Sequence, residues 1–127
     1  MGFRLKTSSN TREIFDYLGN RTNLKPFALS KIAISLSLKE DEDVENYTDE
    51  DMNGLELNRQ TITGQYDEVF KCLMEIKAGR SLNDDEYFPE YTKKHLDRGA
   101  QILKRLYDYN GNFERLFNSL LKENDGL

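Results

Sequence analysis

The residue types that perform most enzyme chemistry are scarce in this chain. Its 127 residues include one histidine, His95, and one cysteine, Cys72. A transition-metal site of the usual kind needs several His and Cys ligands at defined spacings, and this sequence has no such set. It also lacks a glycine-rich phosphate loop, a nucleophile elbow and a dinucleotide fingerprint. We therefore expect no catalytic residue, no bound metal and no cofactor.

The single histidine and the single cysteine have ordinary structural interpretations. His95 follows Lys93 and Lys94, and we expect a surface or core-edge residue rather than a general base. Cys72 has nothing nearby that would lower its pKa, so an ordinary half-buried thiol is expected. One cysteine also excludes an internal disulfide and is typical of a reducing compartment. With no signal-peptide pattern and no long apolar run, the sequence predicts a cytoplasmic protein.

Basic residues remain as candidates for a function, because Lys and Arg bind the phosphates of nucleic acids. The net charge of −5 would oppose such a partner if it were spread evenly. Residues 1–39, however, hold seven Lys and Arg against two acids, whereas residues 40–51 hold eight acids and no base. Residues 52–127 hold eleven bases and thirteen acids. A basic head with an acidic segment behind it is compatible with DNA binding.

The acidic run 40–51 has no apolar periodicity, which is typical of a solvated, mobile loop. Asp41, Asp43 and Glu45 alternate as metal ligands can, but the run lacks the central glycine and the terminal glutamate spacing of a calcium loop. We therefore expect a loop without a metal that points away from any bound phosphates.

The elements that would position the basic residues begin with a short strand. Residues 3–7 alternate in polarity, so an extended chain would have one apolar and one cationic face. Phe3 and Leu5 would lie on the apolar face. Arg4 and Lys6 would lie on the cationic face.

Two helices are predicted to follow this strand. The candidate N-caps of a first helix are Ser8, Ser9 and Asn10, and Asn10 with Glu13 has the spacing of a capping box. This helix should end at the polar stretch 19–23. Pro26 suits the first turn of a second helix, which is apolar on more than one side. A strand and two helices of this length cannot close a core alone. Two copies could therefore pair their strands into a ribbon that enters a DNA groove, as in ribbon-helix-helix proteins; alternatively, the strand is a solvated sheet edge.

The remaining chain is predicted to be helical. Residues 54–64 form an extended segment or an irregular turn, and Gly79 ends a helix over 65–78. That helix has an apolar stripe assigned to the core, formed by Tyr66, Val69, Phe70, Leu73 and Ile76. Two more helices cover about 90–107 and the segment with Phe113, Leu116, Phe117 and Leu120. The expected fold is mainly α, with a ribbon-helix-helix-like strand–helix–helix head (1–39), an acidic loop (40–51) and a helical remainder (52–127), and with four to five helices in a single domain.

Three segments, the head from 4 to 38 and the runs 54–74 and 93–106, resemble in this order and spacing the DndE family of bacterial DNA phosphorothioation proteins. The likeness extends from about residue 3 to about residue 107. Its most specific motifs are NRQTITGQYD (58–67) and HLDRG (95–99). The resemblance implies a non-enzymatic accessory subunit of a restriction-modification type system. That subunit is a homotetramer that binds duplex or nicked DNA without base specificity. The resemblance also implies three partner proteins, which are a cysteine desulfurase, an iron–sulfur protein and an ATPase-like protein. Family members tend to carry a glycine where this chain has Asn23.

The candidate DNA-binding residues belong to two alternative geometries. If the strand enters the major groove, Arg4, Lys6 and Ser8 touch base edges and binding is sequence-specific. If it does not, a face of basic residues holds phosphates only, and affinity falls steeply with salt. That face comprises Arg21, Lys25, Lys93, Lys94 and Arg98. The second geometry is preferred because a modification system must serve many sites. The competing functions are a ribbon-helix-helix repressor or antitoxin, a structural adaptor, and a nickase.

Overall fold

The structure is a computed structural model that describes the backbone of residues 3–125 and the side chains of residues 3–122. The described chain is mostly helical. In order, the elements are β1 (Arg4–Lys6), α1 (Ser9–Thr22), α2 (Pro26–Leu38), β2 (Glu56–Asn58), α3 (Arg59–Ile62), α4 (Asp67–Ala78), α5 (Thr92–Asn110) and α6 (Phe113–Asp125). A 3₁₀ turn, Gly64–Tyr66, precedes α4, and a kinked helical segment, Glu86–Tyr91, precedes α5. The mainly α fold with its strand–helix–helix head is confirmed, although the described chain has six α-helices rather than four or five.

The N-cap of α1 is Ser8, one of the three predicted candidates. Its side chain accepts a hydrogen bond from the Thr11 amide, so the helix begins two residues before the Asn10 capping box. At the other end, the stretch expected to be a turn remains helical as far as Thr22. Asn23 then takes a left-handed conformation, φ 62°, and its amide donates to the Gly19 carbonyl. Asparagine tolerates this conformation better than most residues, so it can end the helix where a glycine is more usual.

The strand partner lies in the same chain. β1 pairs antiparallel with β2, with Arg4 opposite Asn58, Leu5 opposite Leu57 and Lys6 opposite Glu56. Pairing with a second copy is therefore not needed to give β1 a partner. Leu5 is buried and Arg4 and Lys6 are exposed, as the alternation predicted. Phe3, expected beside Leu5, is exposed instead.

The core is built around the contact between α2 and α5. At Gly99 the two backbones approach so closely that an added Cβ would lie 1.8 Å from the Ala33 carbonyl oxygen. α2 is covered on more than one side, as predicted, and even Ser30 and Ser37 are buried. Both hydroxyls are hydrogen-bonded. The Ser30 hydroxyl donates to the Pro26 carbonyl, and the Ser37 hydroxyl is bonded to His95 Nδ1. A helix this enclosed explains why eight of the twelve residues 27–38 are apolar.

The helix α4 has the predicted end but not the predicted environment. Gly79 follows it with φ 74°, and its amide donates to the carbonyls of Glu75 and Ile76. The apolar stripe assigned to the core is largely exposed, with Val69 at 54% and Ile76 at 72%. Met74, on the opposite side, is the buried residue of this helix. The prediction was wrong because periodicity identifies an apolar face but not what covers it.

Candidate nucleic-acid interface

Three of the predicted DNA-binding residues surround one surface cavity. Arg4, Lys6 and Lys93 line a depression of about 390 Å³ beside β1. Its floor and walls also include Leu5, Met52, Glu56, Pro89 and Glu90. The strand supplies two cations from its exposed face, and the first turn of α5 supplies the third. The fold therefore brings together basic side chains that lie far apart in sequence.

The cations at this cavity differ in their present partners. Arg4 Nη1 lies 3.4 Å from Glu56 Oε1, and both side chains are mostly exposed. An exposed pair of this kind contributes little to stability, so a phosphate could replace the carboxylate at small cost. Lys93 is held more firmly, because its Nζ donates to Asp97 Oδ2 at 2.7 Å and to the Asp49 carbonyl at 2.9 Å. Lys6 is exposed.

The acidic run 40–51, here called the acidic strap, is fastened to α5 by the basic residues of that helix. Lys94 Nζ donates to the Glu45 carbonyl at 2.9 Å. Arg98 Nη1 donates to the Glu42 carbonyl at 2.8 Å, and its Nη2 donates to the Ser37 carbonyl at 2.7 Å. These cations hold backbone oxygens of the strap rather than its carboxylates. Lys94 and Arg98 therefore anchor the acidic strap in this structure.

The acidic strap is not the unattached solvated loop that its composition predicted. Val44 is fully buried, and the Tyr47 hydroxyl accepts a hydrogen bond from Gln101 Nε2 at 2.9 Å. At its end, Asp51 accepts from the Ser9 hydroxyl and the Ser9 amide, which lower the pKa of that carboxyl to about 2. The sequence signal for this docking is the single aliphatic residue, Val44, within the acidic run.

The motif at 95–99 is a set of buried contacts between α5 and the head. Asp97 is 1% exposed and accepts hydrogen bonds from the Ser8 amide at 3.1 Å and from Thr11 Oγ1 at 2.6 Å. These bonds tie the first turn of α1 to the middle of α5. With Gly99 against Ala33, the motif fixes both helices of the head. Its residue types are explained by packing and need no catalytic role.

His95 is fully buried, which corrects the expected surface or core-edge position. Arg98 Nε donates to Ser37 Oγ, so the Ser37 hydroxyl can in turn donate to His95 Nδ1, 2.8 Å away. This arrangement places the ring proton on Nε2, which has no hydrogen-bond partner among the described residues. Burial, reinforced by the charge of Arg98, lowers the pKa of His95 to about 4. The ring is therefore neutral at physiological pH.

The motif at 58–67 also fastens elements together. Arg59 Nη2 lies 2.8 Å from Asp67 Oδ2 and 2.9 Å from Asp84 Oδ1, and the guanidinium lies over the rings of Tyr87 and Phe88. The Tyr87 hydroxyl donates to Asp67 Oδ1 at 2.9 Å, and burial together with this bond raises the pKa of Tyr87. Arg59 thus joins the start of α4 to the segment before α5.

The other two predicted residues lie around the turn between α1 and α2. Arg21 stacks on the Tyr17 ring with its Cζ 3.8 Å from the centroid, and Lys25 is exposed at the start of α2. Lys104 of α5 lies 5.1 Å from the same ring and 2.6 Å from Asp108. The DNA-binding residues predicted from the sequence did not include Lys104. No local pattern predicts this neighbour, because only tertiary packing brings α1 and α5 together.

The predicted set therefore divides into three groups. Arg4, Lys6 and Lys93 surround the cavity beside β1, Arg21 and Lys25 flank the α1–α2 turn, and Lys94 and Arg98 hold the acidic strap. Within residues 3–125, no group of three or more His, Cys, Asp or Glu side chains is placed to hold a metal ion. No helix in the described part of the chain is long and apolar enough to cross a membrane.

Comparisons with known proteins agree with this architecture. The crystal structure of DndE from Escherichia coli B7A, involved in DNA phosphorothioation modification, is similar with a TM-score of 0.66 at 16% identity, covering 81% of this chain and 97% of that one. A mutant DndE involved in DNA phosphorothioation has a TM-score of 0.59 at 17% identity, covering 83% and 99%. No curated protein sequence matches the chain.

At 16% and 17% identity the two crystal structures show a shared fold, and a family model assigns the protein family. The model for "DNA sulphur modification protein DndE" matches residues 4–111. The match begins at β1, includes both motifs and reaches the residue after α5, and α6 lies outside it. Since the model covers most of the chain, this protein belongs to the DndE family of DNA sulphur modification proteins.

Proposed function

We propose that this protein is a non-enzymatic DNA-binding subunit of the bacterial phosphorothioation system. It binds duplex or nicked DNA through phosphate contacts and with little regard to base sequence. Family membership supports a place in DNA sulphur modification. The observation that carries the DNA-binding part is the convergence of Arg4, Lys6 and Lys93 on one exposed cavity.

The geometry of the cavity supports phosphate binding over base reading. β1 already has β2 as its partner, so the argument for a two-copy ribbon in the major groove is lost. Single cations around a shallow depression can hold backbone phosphates, which carry no sequence information directly. The acidic strap would repel DNA from its own part of the surface, so the duplex lies along β1 and the start of α5. Arg21 and Lys25, with Lys104 nearby, form a second cationic area for the same backbone.

We infer that the working form is a homo-oligomer, expected to be a tetramer, in the cytoplasm. The exposed apolar face of α4 supports self-association, because monomeric proteins rarely leave such a face uncovered. The further partners are a cysteine desulfurase, an iron–sulfur protein and an ATPase-like subunit. In that assembly this protein binds the DNA, and the partner proteins carry out the sulfur chemistry.

The test is a titration of the purified protein with intact, nicked and scrambled-sequence duplexes at several salt concentrations. We expect similar affinities for all sequences and a steep, linear fall of log affinity with log salt. Lys6→Glu should weaken binding to every duplex and reduce the salt slope by about 1 or more. Arg115→Glu, which alters an exposed cation on α6, is the matched control and should change affinity little.

Each alternative function predicts a different result. Tight binding to one short palindrome with neglect of random duplex would overturn the proposal and favour a repressor. Absence of binding at physiological salt would favour an adaptor. Metal-dependent strand cleavage that copurifies with the protein and is lost in a single carboxylate variant would overturn the non-enzymatic role.

A further inference from the structure

The basic residues at the start of α5 hold the acidic strap by its backbone. Lys93 Nζ donates to the Asp49 carbonyl and Lys94 Nζ donates to the Glu45 carbonyl, both at 2.9 Å. Lys93 also lines the cavity beside β1 that is proposed to bind DNA. The strap therefore occupies the cations of α5 that lie at and next to the proposed DNA-binding cavity.

The guanidinium of Arg98 is divided between the strap and the core. Its Nη1 donates to the Glu42 carbonyl at 2.8 Å. Its Nε and Nη2 donate to the hydroxyl and the carbonyl of Ser37, at 2.8 and 2.7 Å. The contacts with Ser37 do not involve the strap, so they keep the guanidinium in place when the strap moves. Arg98 follows Lys94 by four residues, so the two cations are neighbours on α5.

The acceptors that the strap offers are weaker than those of a nucleic acid. Carbonyl oxygens are neutral, whereas a phosphate is charged, so a lysine or an arginine binds a phosphate more strongly. A DNA backbone can therefore replace the strap's carbonyls at Lys94 and Arg98. The eight acids of the strap repel an approaching phosphate chain, and this repulsion favours a strap that moves away from bound DNA.

The contact between the strap and α5 is incompletely satisfied. His95 Nε2 and Asp43 Oδ1 are both buried, and neither has a hydrogen-bond partner among the described residues. Burial lowers the pKa of His95 and the charge of Asp43 opposes this, so the two side chains lie near each other. Residues of both the strap and α5 line two cavities, of about 530 and 350 Å³. Unpaired buried polar atoms and loose packing lower the cost of opening this contact.

Neutral contacts provide the rest of the attachment. Val44 is fully buried, and the Tyr47 hydroxyl accepts from Gln101 Nε2 at 2.9 Å. Neither contact involves a charge. Each can therefore be weakened without altering the electrostatic field of the protein, which separates the opening of the strap from simple repulsion of DNA.

We propose that the acidic strap is an autoinhibitory cover over part of the DNA-binding surface. In the closed state it occupies Lys94 and the Nη1 group of Arg98 and repels DNA. In the open state these donors bind further phosphates beside Lys93, which extends the cationic surface by about 7.5 Å along α5. This inference rests on the proposed function and adds its regulation, because the apparent affinity for DNA is reduced in proportion to the fraction of open molecules.

Thiol labelling reports the opening directly. Val44→Cys in a Cys72→Ser background places the single thiol of the chain at the buried anchor of the strap. We expect a maleimide to label this thiol slowly in the free protein and about tenfold faster with saturating duplex DNA, because DNA selects the open state. The native chain is the control, since its exposed Cys72 should be labelled equally fast with and without DNA. An unchanged labelling rate at position 44 with DNA bound would overturn the cover.

Variants without a charge change measure the effect of the strap on affinity. Val44→Ser removes the buried anchor and should raise the affinity for duplex DNA about tenfold. Tyr47→Phe keeps the packing and loses only the bond with Gln101, so it should raise the affinity about twofold. Leu116→Ser changes an equally buried residue of α6 and is the matched control, with no expected change in affinity. Affinities that stay constant or fall in both strap variants would contradict the proposal.

A third measurement asks whether the uncovered cations meet phosphates. Lys94→Gln, added to Val44→Ser, should lower the affinity and reduce the slope of log affinity against log salt by about 1. The strap is already open in this background, so the loss reports the phosphate contact alone. An unchanged slope would mean that the strap covers no phosphate-binding lysine, and the proposal would be wrong.

The outcomes separate the cover from the proposed function. A wild-type chain that binds DNA without faster labelling at position 44 in the thiol variant would remove the cover and leave the DNA-binding role intact. A wild-type chain that binds no DNA, beside a Val44→Ser variant that does, would support the cover. Absence of binding by both chains would overturn the cover and the DNA-binding role together.

Discussion

The helices α4 and α5 carry the same signals in the sequence and occupy opposite environments in the structure. Each has an apolar stripe, and each ends at a glycine with positive φ, Gly79 and Gly111. Yet α5 is enclosed by the head, the acidic strap and α6, whereas α4 exposes its apolar stripe. Helical periodicity therefore specifies that a helix forms, and the neighbours of that helix decide whether its stripe becomes core.

The polar residues distinguish the two helices better than the apolar ones do. α5 buries His95 and Asp97 and has a glycine in its middle, features that would cost stability on an exposed helix. α4, by contrast, fully buries none of its charged residues. The internal glycine with a nearby histidine and aspartate is therefore the sequence feature that separates the enclosed helix from the exposed one, although His95 was expected at the surface or core edge.

The largest expected effect tests the close approach of α5 to α2. Gly99→Val would drive a side chain into the Ala33 carbonyl, so the helices must separate, and we expect a loss of more than about 3 kcal/mol in the free energy of unfolding. Urea denaturation measures this loss. Ala78→Val at the end of α4 is the matched small-to-large change and should cost much less. Equal losses in both variants would refute the difference between the helices.

The second prediction concerns the buried histidine of α5. Its pKa in the folded protein, about 4, lies below the unfolded value of 6.5, so protonation favours the unfolded chain. Stability is therefore complete above about pH 6.5 and declines as the pH falls toward 4. We expect this residue alone to account for about 2 kcal/mol between pH 8 and pH 5.

The measurement is the free energy of unfolding across that pH range for wild type and for His95→Gln, which keeps a polar side chain of similar size but does not titrate. The difference between the two curves isolates the histidine from the carboxylates of the chain. Parallel curves would mean that His95 is not held neutral by its burial. Arg98 and Lys77 reinforce the lowering of the His95 pKa, and the acidic strap's Asp43 opposes it.

Much of the secondary structure was predicted correctly from local sequence patterns. The remaining features depend on contacts between segments that are distant in sequence. Pro26 at the start of α2 and Gly79 after α4 were predicted at the right residues because capping chemistry is local. The pairing of β1 with β2 and the docking of the acidic strap join distant segments, so only tertiary structure reveals them. The cationic face of β1 was predicted from the alternation of polar and apolar residues. The sequence did not predict that Lys93 of α5 would line the same cavity as Arg4 and Lys6.

The third prediction concerns the attachment of α4. Arg59→Lys removes the two-pronged contact with Asp67 and Asp84, which a single ammonium cannot reproduce. We expect a loss of about 1.5 kcal/mol in stability. Amide hydrogen exchange should accelerate in α4 more than in α5, because Arg59 tethers one helix and not the other. Uniform acceleration along the chain would show that the two helices unfold together.

The smallest effect on stability is expected on the exposed stripe of α4. Val69→Ser replaces a side chain that is already 54% exposed, so the free energy of unfolding should change by no more than about 0.5 kcal/mol at concentrations where the chain is monomeric. Leu103→Ser, the corresponding change in the buried stripe of α5, should destabilise the same monomer severely. If the α4 stripe is covered by another copy, Val69→Ser should instead reduce assembly, visible as a lower sedimentation mass at high concentration. A large loss of monomer stability from Val69→Ser would mean that α4 is as much a part of the core as α5, and the contrast between the two helices would disappear.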